Sequence, residues 1–280
     1  MPPSKNRHMR KLLYVCIGIC LSSCGVLQPY EDTHVVDLSQ YRPVPLNRER
    51  GGLLYFNLNG VNRMRTDGVS VEILASNMRS ELETTPEQQE FLQVLRYKDE
   101  LFLFYDYPGS GPSSGWHQKK GSLKIHLRQP LSAIHAENPG TVWVRDLIHT
   151  PFLEIYYDQA ATVKCDAVVQ EFRLLGARAA SFQGWIEAKS VQIQLQQAAV
   201  ATMSGRADDL SVSTVESAAF SGQAFNGKRV RAQASSRSRI QISAEEALTI
   251  SSDDSQVFYR ALPRTSIRKK ALNHGQISAF

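Results

Sequence analysis

The sequence predicts an all-β chain built as a β-solenoid, on three observations. Apolar or tolerated positions recur at a nearly fixed interval: Leu153, Phe172, Val191, Leu210, Val230, Leu248 and Thr265 are separated by 19, 19, 19, 20, 18 and 17 residues. Two residues after each stands Ile155, Leu174, Ile193, Val212, Ala232, Ile250 or Ile267, the period of a strand. A small-x-apolar pair then follows within every unit: Ala161 with Val163, Ala180 with Phe182, Ala199 with Ala201, Ala218 with Phe220, Ser238 with Ile240, Ser255 with Val257, and Gly275 with Ile277. Seven or more coils of 17 to 20 residues are therefore expected, each with two short strands. No single coil can bury its apolar face, whereas stacking at about 4.8 Å aligns like positions into columns. The competing reading is an antiparallel sandwich with evenly spaced strands.

Residues 1 to 23 have the layout of a secretory signal: basic Lys5, Arg7, Arg10 and Lys11, an apolar run from Leu12 to Leu21, then Ser22 and Ser23. The run is too short for a hydrocarbon core that needs roughly 20 helical residues. Met9 opens a second version of the same signal with the same mature end. Leu21-Ser22-Ser23-Cys24 resembles the bacterial lipobox. That resemblance implies cleavage between Ser23 and Cys24, acylation of Cys24, and membrane attachment through it. Gly25 in place of Asp after Cys24 implies the outer membrane, with the periplasmic and outward-facing orientations both open.

Residues 24 to 50 read as a tether, with Pro29, Pro43, Pro45 and the alternating charges of Arg48, Glu49 and Arg50. The domain is expected over 51–280. Leu54, Phe56 and Leu58 alternate against Leu53, Tyr55 and Asn57, and Val69, Val71 and Ile73 follow a turn at Asp67-Gly68. Thr85-Pro86-Glu87 caps one short helix. Phe91 to Tyr107 reads as two strands around Asp99-Glu100. Residues 108 to 115 read as a flexible loop. Gly111 to Gly115 formally matches the G-x-S-x-G nucleophile pattern but lacks its strand-turn-helix setting.

Charge and cysteines close several routes. The chain holds 32 Lys+Arg and 27 Asp+Glu; the signal removes four basic residues, leaving 28 against 27. Nucleic-acid binding, which needs a basic face, thereby loses its compositional support. The remainder is uneven, with ten basic and four acidic residues from Lys228 to Phe280. That end is expected either to form a solvated face or to meet anionic headgroups. Cys16 and Cys20 leave with the signal and Cys24 takes lipid, so only Cys165 remains as a thiol, expected as a small buried hydrophobe.

From LKIHLRQPLSAIHAENPGTVWV at Leu123 to the closing Ser251-Ser252-Asp253-Asp254-Ser255-Gln256-Val257-Phe258-Tyr259, Pro263 and Gly275-Gln276-Ile277, the chain resembles the auto-transporter adhesin head GIN domain family found in many bacterial lipoproteins. The resemblance covers about residues 50 to 280. It implies a right-handed parallel β-helix and transfers no catalytic residue. Ser, Ala and Asp replace most glycines of the family's repeated turns, where glycine serves positive φ.

No residue stands out as catalytic, and no cofactor or metal site is expected. A polysaccharide lyase or hydrolase on this fold, the alternative function, needs a carboxylate column. Asp166, Glu187, Asp208 and Asp253 fall at different coil offsets, and Asp208-Asp209 and Asp253-Asp254 read as bends. His126 and His135 fall in one expected coil without a carboxylate partner; the other histidines are scattered. The aromatics Trp116, Trp143, Tyr156, Tyr157, Trp185, Phe258 and Tyr259 exceed what a small solenoid needs internally. They suit sugar stacking or protein contact without marking one binding residue. The expected function is a lipid-anchored, non-enzymatic binding or scaffold module whose partners are glycans or envelope proteins.

Overall fold

The computed structural model describes residues 37–106 and 123–280. Gln40 to Phe280 form one compact unit, a β-solenoid of about eight turns. Its strands are β1 (Arg42–Pro43), β2 (Leu46–Arg50), β3 (Leu53–Asn57), β4 (Arg63–Asp67), β5 (Val71–Ala75), β6 (Glu81–Thr84), β7 (Leu92–Tyr97) and β8 (Glu100–Tyr105). There follow β9 (Leu123–Leu127), β10 (Ala133–Glu137), β11 (Thr141–Val144), β12 (Ile148–Tyr157), β13 (Thr162–Lys164), β14 (Ala167–Gly176) and β15 (Ser181–Leu195). The last six are β16 (Val200–Thr214), β17 (Ala219–Ser235), β18 (Arg239–Asp253), β19 (Gln256–Ala261), β20 (Ser266–Leu272) and β21 (Gln276–Ala279). The short helix α1 (Pro86–Gln89) starts as expected, with Thr85 and Gln88 forming a reciprocal capping box.

Strand pairing between rungs is parallel, which settles the fold against a sandwich. Leu153, Phe172, Val191, Leu210, Val230 and Leu248 stand in register one above the next. The second column runs through Val163, Phe182, Ala201, Phe220, Ile240, Val257 and Ile277. Its small members relieve its large ones, Ala201 lying between Phe182 and Phe220. One position is corrected: Leu248 pairs with Ile267 rather than Thr265, so the last rung keeps the 19-residue step and Lys269 falls in the column of Ile250.

The first rungs are not laid down in chain order. β4 lies between β8 and β10, and β5 between β9 and β11. The rung of residues 63–75 is thus enclosed by one made later on each side. β7 then pairs antiparallel with β8 and β6 with β9, covering the edge of that end; β1, β2 and β3 extend the antiparallel set. Pairing therefore begins before Gly51. Arg42–Pro43 and Leu46–Arg50 are strands, and Val44 between them is buried.

The corners repeat as well. At Gln159/Ala160, Arg178/Ala179, Gln197/Ala198 and Glu216/Ser217 both central residues have positive φ, and a backbone bond closes each four-residue turn, as Ala199 N to Gln196 O at 3.1 Å. The turns also bond to one another along the stack: Ala160 N to Arg178 O, Ala179 N to Gln197 O and Ala198 N to Glu216 O, at 2.9 to 3.0 Å. At these four corners non-glycine residues hold the left-handed geometry, in turns that are hydrogen-bonded along the stack.

Candidate functional site

Period two fixes which side chains leave the core on the second face. On β11, Val142 and Val144 point in and Trp143 points out; on the next rung Val163 and Cys165 are buried, leaving Lys164 and Asp166 outside. The third rung presents Gln183 and Trp185, and the fourth Thr202 and Ser204. A Cβ on Gly184 would come within 2.0 Å of the Cys165 carbonyl oxygen, so the backbone there approaches the rung below as only glycine allows. These rows enclose a shallow groove of about 610 Å³.

Trp143 and Trp185 are 39% and 37% exposed, two rungs or about 9.6 Å apart along the stack. The Arg145 guanidinium lies 3.0 Å from the Trp143 ring centroid and also bonds Glu72. Lys164 Nζ is 5.9 Å from the same ring. Among the described residues Asp166 is the only carboxylate lining the groove, and its Oδ1 accepts from the Trp185 backbone N–H at 2.7 Å. Two aromatic side chains flanking Lys164 and Gln183, with the Thr202 and Ser204 hydroxyls on the rung beyond Trp185, can hold a polar chain. Paired carboxylates, which glycoside hydrolysis uses, are absent from the groove lining.

A carboxylate column does occur, at the corner after the first face. Asp67 pairs in register with Glu137, and Asp158 continues the stack through its N–H to the Ala136 carbonyl. Each acid is matched. Asp67 Oδ1 accepts from Asn138 Nδ2 at 2.5 Å, Glu137 from Arg65 Nη1 at 2.9 Å, and Asp158 from Arg178 Nε at 2.7 Å and Tyr156 Oη at 2.6 Å. Arg65, only 6% exposed, also reaches Glu100 and the His135 ring. Burial raises the Glu137 carboxyl above the usual range against the opposing pull of Arg65, and its interaction with His135 lowers that of Glu154. The arrangement is a bolt that ties interleaved rungs together. It repeats a signal visible in the chain, a polar residue, one spacer and an acid before a turn, in Arg65-Thr66-Asp67, His135-Ala136-Glu137 and Tyr156-Tyr157-Asp158.

The other expected positions divide. Ser23, Cys24, the Gly111–Gly115 motif and Trp116 lie outside the described residues. Glu187 faces Arg206; Asp253 accepts from Asn273. Asp208 and Asp209 are not bends: they lie within β16 and pair with Lys228 and Arg229 of the next rung, at 2.7 and 2.6 Å, because opposite charges in adjacent rungs stack. His126 and His135 occupy different faces, β9 and β10. Tyr156, Tyr157 and Tyr259 are buried. Tyr157 turns inward over Gly176, where a Cβ would meet its ring at 2.4 Å. Cys165 is buried and free, its thiol pushed up by burial. Among the described residues no group of three His, Cys, Asp or Glu is placed to hold a metal ion.

The parallel rungs and their repeated corners define a β-solenoid protein. The family described as putative auto-transporter adhesin, head GIN domain, matches residues 116–260, more than half of the chain, and the chain belongs to that family. Among curated proteins none matches. Among solved structures, a putative adhesin from Parabacteroides merdae is similar at a TM-score of 0.70 and 12% identity, covering 82% of this chain and 97% of that one. A putative adhesin from Parabacteroides distasonis gives 0.70 at 13% identity, with 81% and 96% covered. A putative lipid binding protein from the same species gives 0.67 at 12%, again with 81% and 96%. These likenesses establish the fold. No helix of the described residues is long and apolar enough to cross a membrane.

Proposed function

We propose that this chain is a non-enzymatic, adhesin-like module of the bacterial envelope, held at the outer membrane by lipid on Cys24, that binds glycan chains along its tryptophan flank. Exposed Trp143 and Trp185 on one groove, with the Gln183 amide and the Thr202 and Ser204 hydroxyls lining it, carry the glycan reading. Membership in an adhesin family supports a binding role. The carbohydrate-active alternative would draw on the Asp67, Glu137 and Asp158 column. Its carboxylates are engaged by Asn138, Arg65 and Arg178, which favours binding over acid-base chemistry.

The test of binding is titration of the protein with envelope and host-type oligosaccharides, followed by calorimetry. Trp185→Ala is expected to weaken the best ligand about tenfold with folding unchanged. Binding undiminished in both Trp185→Ala and Trp143→Ala, or turnover of the oligosaccharide, would overturn the reading. Anchoring is tested separately, by radiolabelled palmitate incorporation: Cys24→Ser should abolish labelling and leave the protein unprocessed or soluble.

A further inference from the structure

The two ends of the solenoid differ in chemistry. Residues 255 to 280 contain five basic side chains, Arg260, Arg264, Arg268, Lys269 and Lys270, and no acidic one. Every residue of β20 is exposed. Before it, Leu262 to Thr265 form a tight turn closed by Thr265 N to Leu262 O at 3.0 Å, with Pro263 at the position where its fixed φ suits a turn. Thr265 Oγ1 pins that turn to the rung below through the Glu245 carbonyl at 2.8 Å. The pinned turn displays Leu262, 56% exposed, beside Arg264. Ile267, Leu272 and Phe280 are exposed on the same rung.

Arg268 and Lys270 stand in register with Thr249 and Ser251, pointing out of the first face. Neither they nor Arg264 form an ion pair among the described residues. Of the acids of the rung below, Asp253 is engaged by Asn273 and Glu246 by Arg229 at 4.0 Å, while the Glu245 and Asp254 carboxylates form no ion pair with these cations among the described residues. Lys269, in a core column, is held over the Tyr259 ring at 4.3 Å.

We propose that this last rung and its turn dock on an anionic lipid surface, the apolar side chains entering the headgroup boundary while Arg264, Arg268 and Lys270 meet phosphates. Unpaired cations fringing exposed aliphatic and aromatic groups are what such an interface selects. An acidic polymer would use the cations but not Leu262. The inference rests on neither the glycan reading nor acylation.

The experiment is sedimentation of the processed chain, residues 24 to 280 with Cys24→Ser, against vesicles of phosphatidylcholine alone and with a third phosphatidylglycerol. Binding is expected only to the anionic vesicles and is expected to fall with salt. Arg264→Gln/Arg268→Gln/Lys270→Gln should weaken it on the order of 100-fold, at about 1 kcal/mol per cation. Unchanged circular dichroism would establish folding. Leu262→Ser, a variant at an exposed turn, should weaken vesicle binding and leave binding to soluble polyphosphate unaltered. Equal binding to both vesicle types, or an unaffected triple variant, overturns the proposal. Polyphosphate bound as tightly as vesicles, with Leu262→Ser neutral, overturns it in favour of an acidic polymer.

Discussion

The rungs from Ile148 onward and those before it solve the same problem by different means. In the later rungs each turn of the solenoid follows its predecessor by 17 to 20 residues, aliphatic and aromatic columns fill the interior, and corners bond to corners. In the earlier ones the 63–75 rung is enclosed on its first face by strands 37 and 70 residues later in the chain, and an ionic cluster around buried Arg65 ties the three together. Local order lets a rung be specified by its own repeat. Interleaving demands contacts that recognise distant segments, and charged groups with directional partners supply that recognition. The difference teaches that the polar cluster, which resembles an active site by composition, is better understood as registration.

The largest test of that contrast is Arg65→Ala. It removes the buried cation that half-buried Glu100 and Glu137 share, and the loss expected is about 3–5 kcal/mol, measured by urea unfolding. A loss below about 1 kcal/mol would make the cluster ornamental and dissolve the distinction. Leu174→Ala probes the other region. The side chain is fully buried in the first-face column, so a cavity there should cost about 2–5 kcal/mol without affecting any charge pair.

The two regions were also unequally legible. Both apolar columns could be read because each rung is contiguous in sequence, so period and phase coincide, down to the Val163–Ile277 series. The phase of the last rung was lost by two residues because the Leu262–Thr265 turn places Thr265, not an apolar residue, before the strand. Arg65 and His135 could not be joined from sequence, since a separation of 70 residues carries no period. Trp143 and Trp185 were visible as candidates. Their place on one groove was not, because it depends on rung register.

A smaller effect sharpens the account of the later corners. Ala198 has φ 63, a region that costs an ordinary residue about 1–2 kcal/mol and glycine nothing. Ala198→Gly keeps the N–H that bonds Glu216 O, so relief of strain should exceed the extra unfolded-state entropy. A gain of about 0.5–1 kcal/mol is expected in thermal or urea unfolding. A loss would mean that the alanine methyl packs between stacked turns, and that stacking rather than backbone freedom selects the residue.

The smallest effect separates charge from packing within the earlier rungs. His135 Nε2 stands 3.7 Å from Glu154 Oε1, and this interaction holds the Glu154 carboxyl below its usual range. A depressed folded value means that the contribution is complete above the unfolded carboxylate pKa near 4.3 and is lost as pH falls through the folded value. Glu137, raised by burial, works in the opposite sense: its contribution is complete below the unfolded pKa and is lost as pH rises through the folded one. Glu154→Gln should therefore flatten the fall in melting temperature below about pH 4.3, and Glu137→Gln should flatten a fall on the alkaline side of that value. Because Glu154 is 28% exposed by side chain, solvent screening keeps its effect the lesser of those considered. Identical pH profiles for wild type and both variants would remove these two carboxylates from the cohesion of the earlier rungs and leave it to their apolar contacts.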